Sequence, residues 1–298
     1  MNRRSFLLTG LGAAAAAVPD APAATAIPII DIHQHTNYSD RPDDVLVAHQ
    51  RKMGITKTIL LPAGRKYGLE AKAFGNDSVV AVAKRYPKEY LFFANELPEI
   101  AEARGVITKY LKMGAIGIGE QKFFVDCDSV HMQKIASIAA EYNVPVLMHF
   151  QHDKYNKGIE RFHKILEKYP KVNFIGHAQT FWANIDKKCE QAVLYPKGKV
   201  TPGGITDRLL ADYPNMFADL SAGSGLNAFA RDPEHGREFI KRHRTKLLYG
   251  SDCNDHVGEG PKCSGAQQIA QMKALAPDEK VQRQLFWENS AKLFQIAQ

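Results

Sequence analysis

The chain has 298 residues, with 39 Lys and Arg against 32 Asp and Glu, a net charge of +7. With 45% hydrophobic and 24% charged residues it is neither a disordered nor a fibrous chain, and its length suits one large domain. The basic excess is mild and no basic run is interleaved with aromatics, so no nucleic-acid partner is expected.

Residues 1–26 read as a leader. Asn2-Arg3-Arg4-Ser5-Phe6-Leu7-Leu8 looks like a twin-arginine export signal. An alanine-rich apolar stretch runs to Val18, and Ala21-Pro22-Ala23 and Ala24-Thr25-Ala26 offer cleavage points. The stretch is too short to span a bilayer comfortably. This predicts a signal peptide over 1–26, an exported or periplasmic location, no stable membrane insertion after its removal, and one domain over 27–298. Removal would lower the charge to +6.

Eight strand-like segments follow, near 28–34, 55–61, 90–96, 114–121, 144–149, 172–177, 216–221 and 246–252. Most are continuous apolar runs, the pattern of strands buried on both faces. Between them, Asp43 to Gly54, Asn76 to Tyr86, Ile100 to Met113, Ser129 to Tyr142 and Gly158 to Tyr169 show apolar residues at helical spacing. Several end in Tyr-Pro or Met-Gly, which stop a helix. A final helix is expected from about Asp278 to Phe294. The alternation predicts an α/β fold, a single-domain (β/α)8 TIM barrel.

The strand ends carry the chemistry. Ile29-Ile30-Asp31-Ile32-His33-Gln34-His35 finishes in His-x-His, and alternate strand residues share a face roughly 6–7 Å apart. His149 ends the fifth segment, His177 the sixth and Asp252 the eighth, and a parallel barrel gathers such ends at its mouth. Strand parity predicts inward sets of Asp31, His33 and His35 on the first strand, and of Ile116, Ile118, Glu120 and Lys122 on the fourth. Asp219 shares the inward parity on the seventh and is expected to orient a neighbour.

This order of His-x-His, His, His and Asp at strand ends resembles the amidohydrolase superfamily. Phe174-Ile175-Gly176-His177-Ala178 and Leu248-Tyr249-Gly250-Ser251-Asp252 resemble its branch that mixes metal-dependent hydrolases with aminocarboxymuconate-semialdehyde-type decarboxylases. The resemblance spans nearly all of the chain after residue 26. It implies a divalent metal held by His33, His35, Glu120, His149, His177 and Asp252, as one or two ions. Zinc suits imidazole with carboxylate, and manganese or iron would also fit. Asp252 would take the proton of the attacking water, and His177 would hydrogen-bond that water in a one-metal site. With Glu120 as bridge, His149 and His177 would hold a second ion; without it, His33, His35, His149 and Asp252 would hold one, and Glu120 would pair with Lys122 or a helix lysine.

The implied activity is hydrolysis of an amide, ester or lactone in a small-molecule substrate. The alternatives are decarboxylation at the same site and a non-catalytic envelope metal- or ligand-binding protein. Loops Gln151–Asn156, Gln179–Trp182 and Ser221–Asn227 should select substrate, with Arg231 either gripping a carboxylate or starting a helix with Asp232 and Pro233. A homo-oligomer is possible. Cysteines 127, 189, 253 and 263 allow three pairings, of which Cys253 with Cys263, sharing one loop, is favoured.

Overall fold

The computed structural model describes residues 26–64 and 72–297. The expected leader over residues 1–25 lies outside them. Eight strands run in order: β1 Ile30–Gln34, β2 Lys57–Leu60, β3 Tyr90–Phe92, β4 Ile118–Gln121, β5 Val146–His149, β6 Phe174–His177, β7 Met216–Asp219 and β8 Leu247–Leu248. Each lies inside its expected segment. All paired neighbours are parallel, as two sheets β1-β2-β3 and β4 to β8. Backbone hydrogen bonds close both seams. Ala94 donates to Gly117 and Ile116 to Phe92 across β3 and β4, while Ile32 donates to Tyr249 and Asp252 to His33 across β8 and β1. The molecule is therefore the expected (β/α)8 barrel.

The barrel interior is filled by Ile30, Ile32, Ile59, Leu61, Phe93, Leu147, Ile175 and Leu248. Trp287, Ala291 and Phe294 from the C-terminal helical stretch pack against the same cluster. A second, larger core lies between strands and helices. No helix among the described residues is long and apolar enough to cross a membrane.

Parity fails on two strands. Ile30 and Ile32 fill the interior, whereas Asp31 points outward to Gln50 and Ser251. The pairing of β1 with β2 shifts register between Asp31 and Gln34, and this re-aims the end of the strand. On β4, Ile118 joins the outer core and Glu120 turns into the mouth, again across a register shift, between Ile118 and Gln121.

The structure holds more helix than the apolar spacing predicts. Gln179–Ala183 and Ala222–Ala230, expected as loops, are helical, as are Ile205–Asp212, Pro233–His243 and Ser264–Leu275. The expected last helix is divided by a π-helical turn at Gln284–Glu288.

Candidate metal centre

β5 and β6 pair in register, with His149 opposite His177, so both imidazoles leave the barrel at one height. β1 brings His33 and His35 from the other side of the ring, and β4 brings Glu120. Asp252 follows β8 in a left-handed conformation, φ 40°, which aspartate and asparagine tolerate better than most residues.

Three imidazoles are held with one edge occupied and the other free. His33 Nδ1–H donates to Asp219 Oδ2 at 2.6 Å. His35 Nδ1–H donates to the Leu61 carbonyl at 2.7 Å. His177 Nδ1 lies 3.0 Å from Ser221 Oγ and 3.2 Å from Asp219 Oδ2, and Ser221 Oγ itself donates to that carboxylate at 2.8 Å. Fixing Nδ1–H in this way turns each Nε2 lone pair toward the barrel axis. Glycine at 250 makes this possible: a Cβ there would stand 2.3 Å from Asp219 Oδ1 and 3.1 Å from His33 Cβ.

The free edges converge. His33 Nε2 and His35 Nε2 are 3.1 Å apart. Asp252 Oδ1 lies 3.7 Å from both, and its Oδ2 lies 3.6 Å from His177 Nε2. Glu120 stands 3.7 Å from His33 Nε2, 3.6 Å from His35 Nε2 and 3.7 Å from His177 Nε2. Two facing lone pairs at 3.1 Å repel unless a proton or a cation sits between them. Around a tetrahedral ion with bonds of 2.0–2.1 Å, two ligand nitrogens stand about 3.3 Å apart, close to what is found. His33, His35 and Asp252 form one group able to hold an ion, and His33, Glu120 and His177 another.

His149 differs. Its Nδ1 is bonded to Glu120, its Nε2 is buried without a partner, and it belongs to neither group. His149 Nδ1 is thus held by Glu120 while its Nε2 stays open, as a ligand nitrogen would. Asp252 Oδ1 is a second buried atom without a hydrogen-bond partner.

Electrostatics favour a cation. Burial raises Asp252, but His33 and His177 more than offset it and leave it at about 2. Glu120 is likewise buried, yet His149 and Lys122 hold it well below the usual carboxylate range. Burial lowers His35 and His149 to about 4. His33 is held well above its ordinary value: burial opposes its charge, but the Asp252 and Asp219 carboxylates outweigh it. The carboxylates are thus ionised, as a metal requires, and against burial they raise His33 and His177 because the mouth favours positive charge, which a bound cation would supply in place of those protons. The donor set, its convergence and its two orphaned atoms fit a divalent ion.

A narrow cleft opens above, lined by His35, Tyr38, Glu120, Lys122, Phe123 and Asp252 among others. Tyr38 was missed in the sequence. It lies in a short 3-10 turn after β1, where no periodicity signals it, and its ring meets His35 edge-on at 5.1 Å. Asp252 and burial push its phenol well above 10, so it stays protonated. Lys122 is the single cation among the described lining residues. Arg231 is elsewhere, buried against Asp186 at 3.3 Å, while Asp232 caps the helix that follows. Trp182 is buried and donates to the Asp219 carbonyl. His152 is partly exposed beside Asp153.

The chain matches the Amidohydrolase family over residues 30–296. Among solved structures it is similar to a probable 2-pyrone-4,6-dicarboxylic acid hydrolase from Acinetobacter baumannii, crystallised with citric acid. The two are 13% identical, with a TM-score of 0.62 over 90% of this chain and 99% of the other. An uncharacterised TIM-barrel protein from Bordetella bronchiseptica is 14% identical, with a TM-score of 0.63 over 90% and 98%. A 2,6-dihydroxybenzoate decarboxylase from Rhizobium is 13% identical, with a TM-score of 0.55 over 91% and 99%. These likenesses are of fold. No curated protein matched.

Proposed function

Because the chain belongs to the amidohydrolase family, we propose that it is a metal-dependent hydrolase of a small ester, lactone or amide. The observation that carries this reading is the convergence of three Nε2 lone pairs and two carboxylates on one point at the barrel mouth. His33, His35 and Asp252 would hold a zinc ion, with Glu120 and His177 able to take part or to hold a second. When bound, such an ion polarises a carbonyl and lowers the pKa of water to about 7.

The side chains do the rest. Asp252 remains ionised and has a free oxygen, so it can take a proton from water entering the cleft. Asp219 and Ser221 hold His33 and His177 in register for that transfer. Tyr38 keeps its proton and can donate to a developing oxyanion. Lys122 attracts a carboxylate, so carboxylate-bearing lactones are the first class to test, in keeping with the likeness to the pyrone dicarboxylic acid hydrolase.

Decarboxylation is the second reading, supported by the likeness to the dihydroxybenzoate decarboxylase. An arginine gripping a carboxylate beside the metal would favour it, but Arg231, the candidate for that role, is tied to Asp186. The test is a panel of aromatic acids, lactones and esters assayed for both ring opening and carbon dioxide, with metal counted by mass spectrometry. Metal-dependent ring opening or ester cleavage, lost in His33→Ala, is expected. Carbon dioxide release without hydrolysis overturns the hydrolase reading in favour of the second. Export through the twin-arginine route is part of the proposal, and cell fractionation with Arg3→Lys, Arg4→Lys as control tests it.

A further inference from the structure

A second set of metal-ligating side chains lies beside β8, outside the mouth. Cys253 directly follows Asp252. Cys263 caps the helix Ser264–Leu275, and His49 sits on the helix Asp43–Lys52. His49 and Cys263 are fully buried and Cys253 is 2% exposed. The two sulfurs stand 3.6 Å apart as free thiols, and Cys263 Sγ is 3.5 Å from His49 Nε2. The three ligand atoms lie within 4.8 Å of one another.

The imidazole is aimed. Gln50 Nε2 donates to Asp31 and Thr58, so Gln50 Oε1 must accept, and it faces His49 Nδ1 at 3.1 Å. His49 Nδ1 therefore carries the hydrogen and the Nε2 lone pair faces the sulfurs. Neighbouring hydrogen bonds orient metal-ligating histidines in this way. The Ala266 backbone N–H donates to Cys263 Sγ at 3.3 Å and would support a thiolate there. Asp255 Oδ2 lies 4.0 Å from His49 Nε2 and accepts from the Val257 and Gly258 backbone, so its carboxylate stands beside the three ligand atoms. With zinc–sulfur bonds of about 2.3 Å and zinc–nitrogen bonds of about 2.0 Å, tetrahedral edges are about 3.8 Å between sulfurs and about 3.5 Å from sulfur to nitrogen. The cluster already has nearly these spacings.

We propose that Cys253, Cys263 and His49 form a structural zinc site separate from the mouth, its fourth position filled by water or by a small movement of Asp255. Binding releases one proton from each thiol to solvent and leaves the oxidation state unchanged. The ion ties the loop after Asp252 to the helix Asp43–Lys52. Soft thiolates select zinc, whereas the mouth offers only nitrogen and oxygen.

That contrast gives the test, which does not depend on the activity of the mouth. The full chain is loaded with cobalt(II) and its near-ultraviolet spectrum recorded for wild type, Cys263→Ser, Cys253→Ser and His35→Ala. Thiols are counted after denaturation. Wild type should show thiolate-to-cobalt charge transfer and four thiols. Each cysteine variant should lose that absorption and about one zinc per chain by mass spectrometry. His35→Ala should keep the absorption. If the cysteine variants do not fold, the wild-type spectrum alone still decides. Absence of charge transfer in a chain with four thiols, or a Cys253–Cys263 disulfide found by peptide mapping, would overturn the proposal.

Discussion

Two buried polar clusters share the C-terminal end of β1 and the segment after β8, and they are built oppositely. In the first, Asp31 accepts from the backbone of His33 and Ser251, from Ser251 Oγ and from Gln50. Gln34 donates to Ser251 Oγ and to the Cys253 carbonyl, which also accepts from Arg41. Arg41 Nε is the one atom of this cluster without a partner. In the mouth, by contrast, Asp252 faces the three Nε2 atoms at 3.6–3.7 Å and keeps an unpartnered oxygen, and His149 keeps an unpartnered nitrogen. A buried polar group without a partner costs about 1–3 kcal/mol. A satisfied network fixes geometry; one left open at this cost stores the capacity to bind. The same two stretches of chain serve both, so the closed cluster aims the open one.

Substitutions can separate the two roles. The largest effect is expected at the open cluster: Asp252→Asn should cut turnover about 10²–10⁴-fold with the metal-loaded melting temperature unchanged. Asparagine is the suitable replacement, since it also accepts the φ of 40° at this position. Steady-state rates and thermal melts measure this, and a variant retaining its rate would move the base to another residue. Asp219→Asn removes a charge beside His33 and disturbs the orientation of His33, His177 and Ser221, and should weaken metal binding about 10–100-fold, read by chelator competition. In the closed cluster, Ser251→Ala should cost about 1–3 kcal/mol in urea denaturation while leaving metal content intact. Metal loss there would mean that the clusters are one unit.

The smallest effect is expected away from both. Asp207 accepts from His243 at 2.6 Å and from Arg242 at 3.1 Å. Burial works against its charge, but His243 and Arg242 hold it down at about 2, below the ordinary 3.8. Its folded pKa is depressed, so its contribution is complete above about pH 4 and drains away as the pH falls toward 2. The melting gap between wild type and Asp207→Asn should be a few degrees at neutral pH, since about 1 kcal/mol shifts a domain of this size by about 2–4 °C, and it should close in acid. A gap independent of pH would mean that the carboxylate acts by packing alone.

The sequence disclosed the barrel because strands buried on both faces leave long apolar runs, and all eight were legible. The mouth was legible as far as strand ends carry ionisable residues. The register shifts on β1 and β4 were not, because a bulge is set by the neighbouring strand, and parity therefore misplaced Asp31 and Ile118. The helix Ala222–Ala230 was hidden by Gly223 and Gly225. Gly225 is there because a Cβ would meet the Leu220 carbonyl at 2.0 Å, a tertiary reason that looks in sequence like a turn. The helix Pro233–His243 was legible at its start, where Asp232 caps it and Pro233 takes the first position, but its polar body gave no clear apolar spacing. His49 gave no signal for its place near Cys253 and Cys263, since proximity across 200 residues is made only by closing the ring.

Gly250 has a consequence for how the chain can vary over evolutionary time. It has no side chain to offer, yet any side chain there would strike Asp219 and His33 together. A saturation library at this codon should therefore lose function at nearly every amino acid, with alanine as inactive as bulkier replacements. Lys122, which reaches the cleft from the rim, should tolerate exchange with the fold and the histidines intact, so it is the place where a lineage can trade one substrate charge for another.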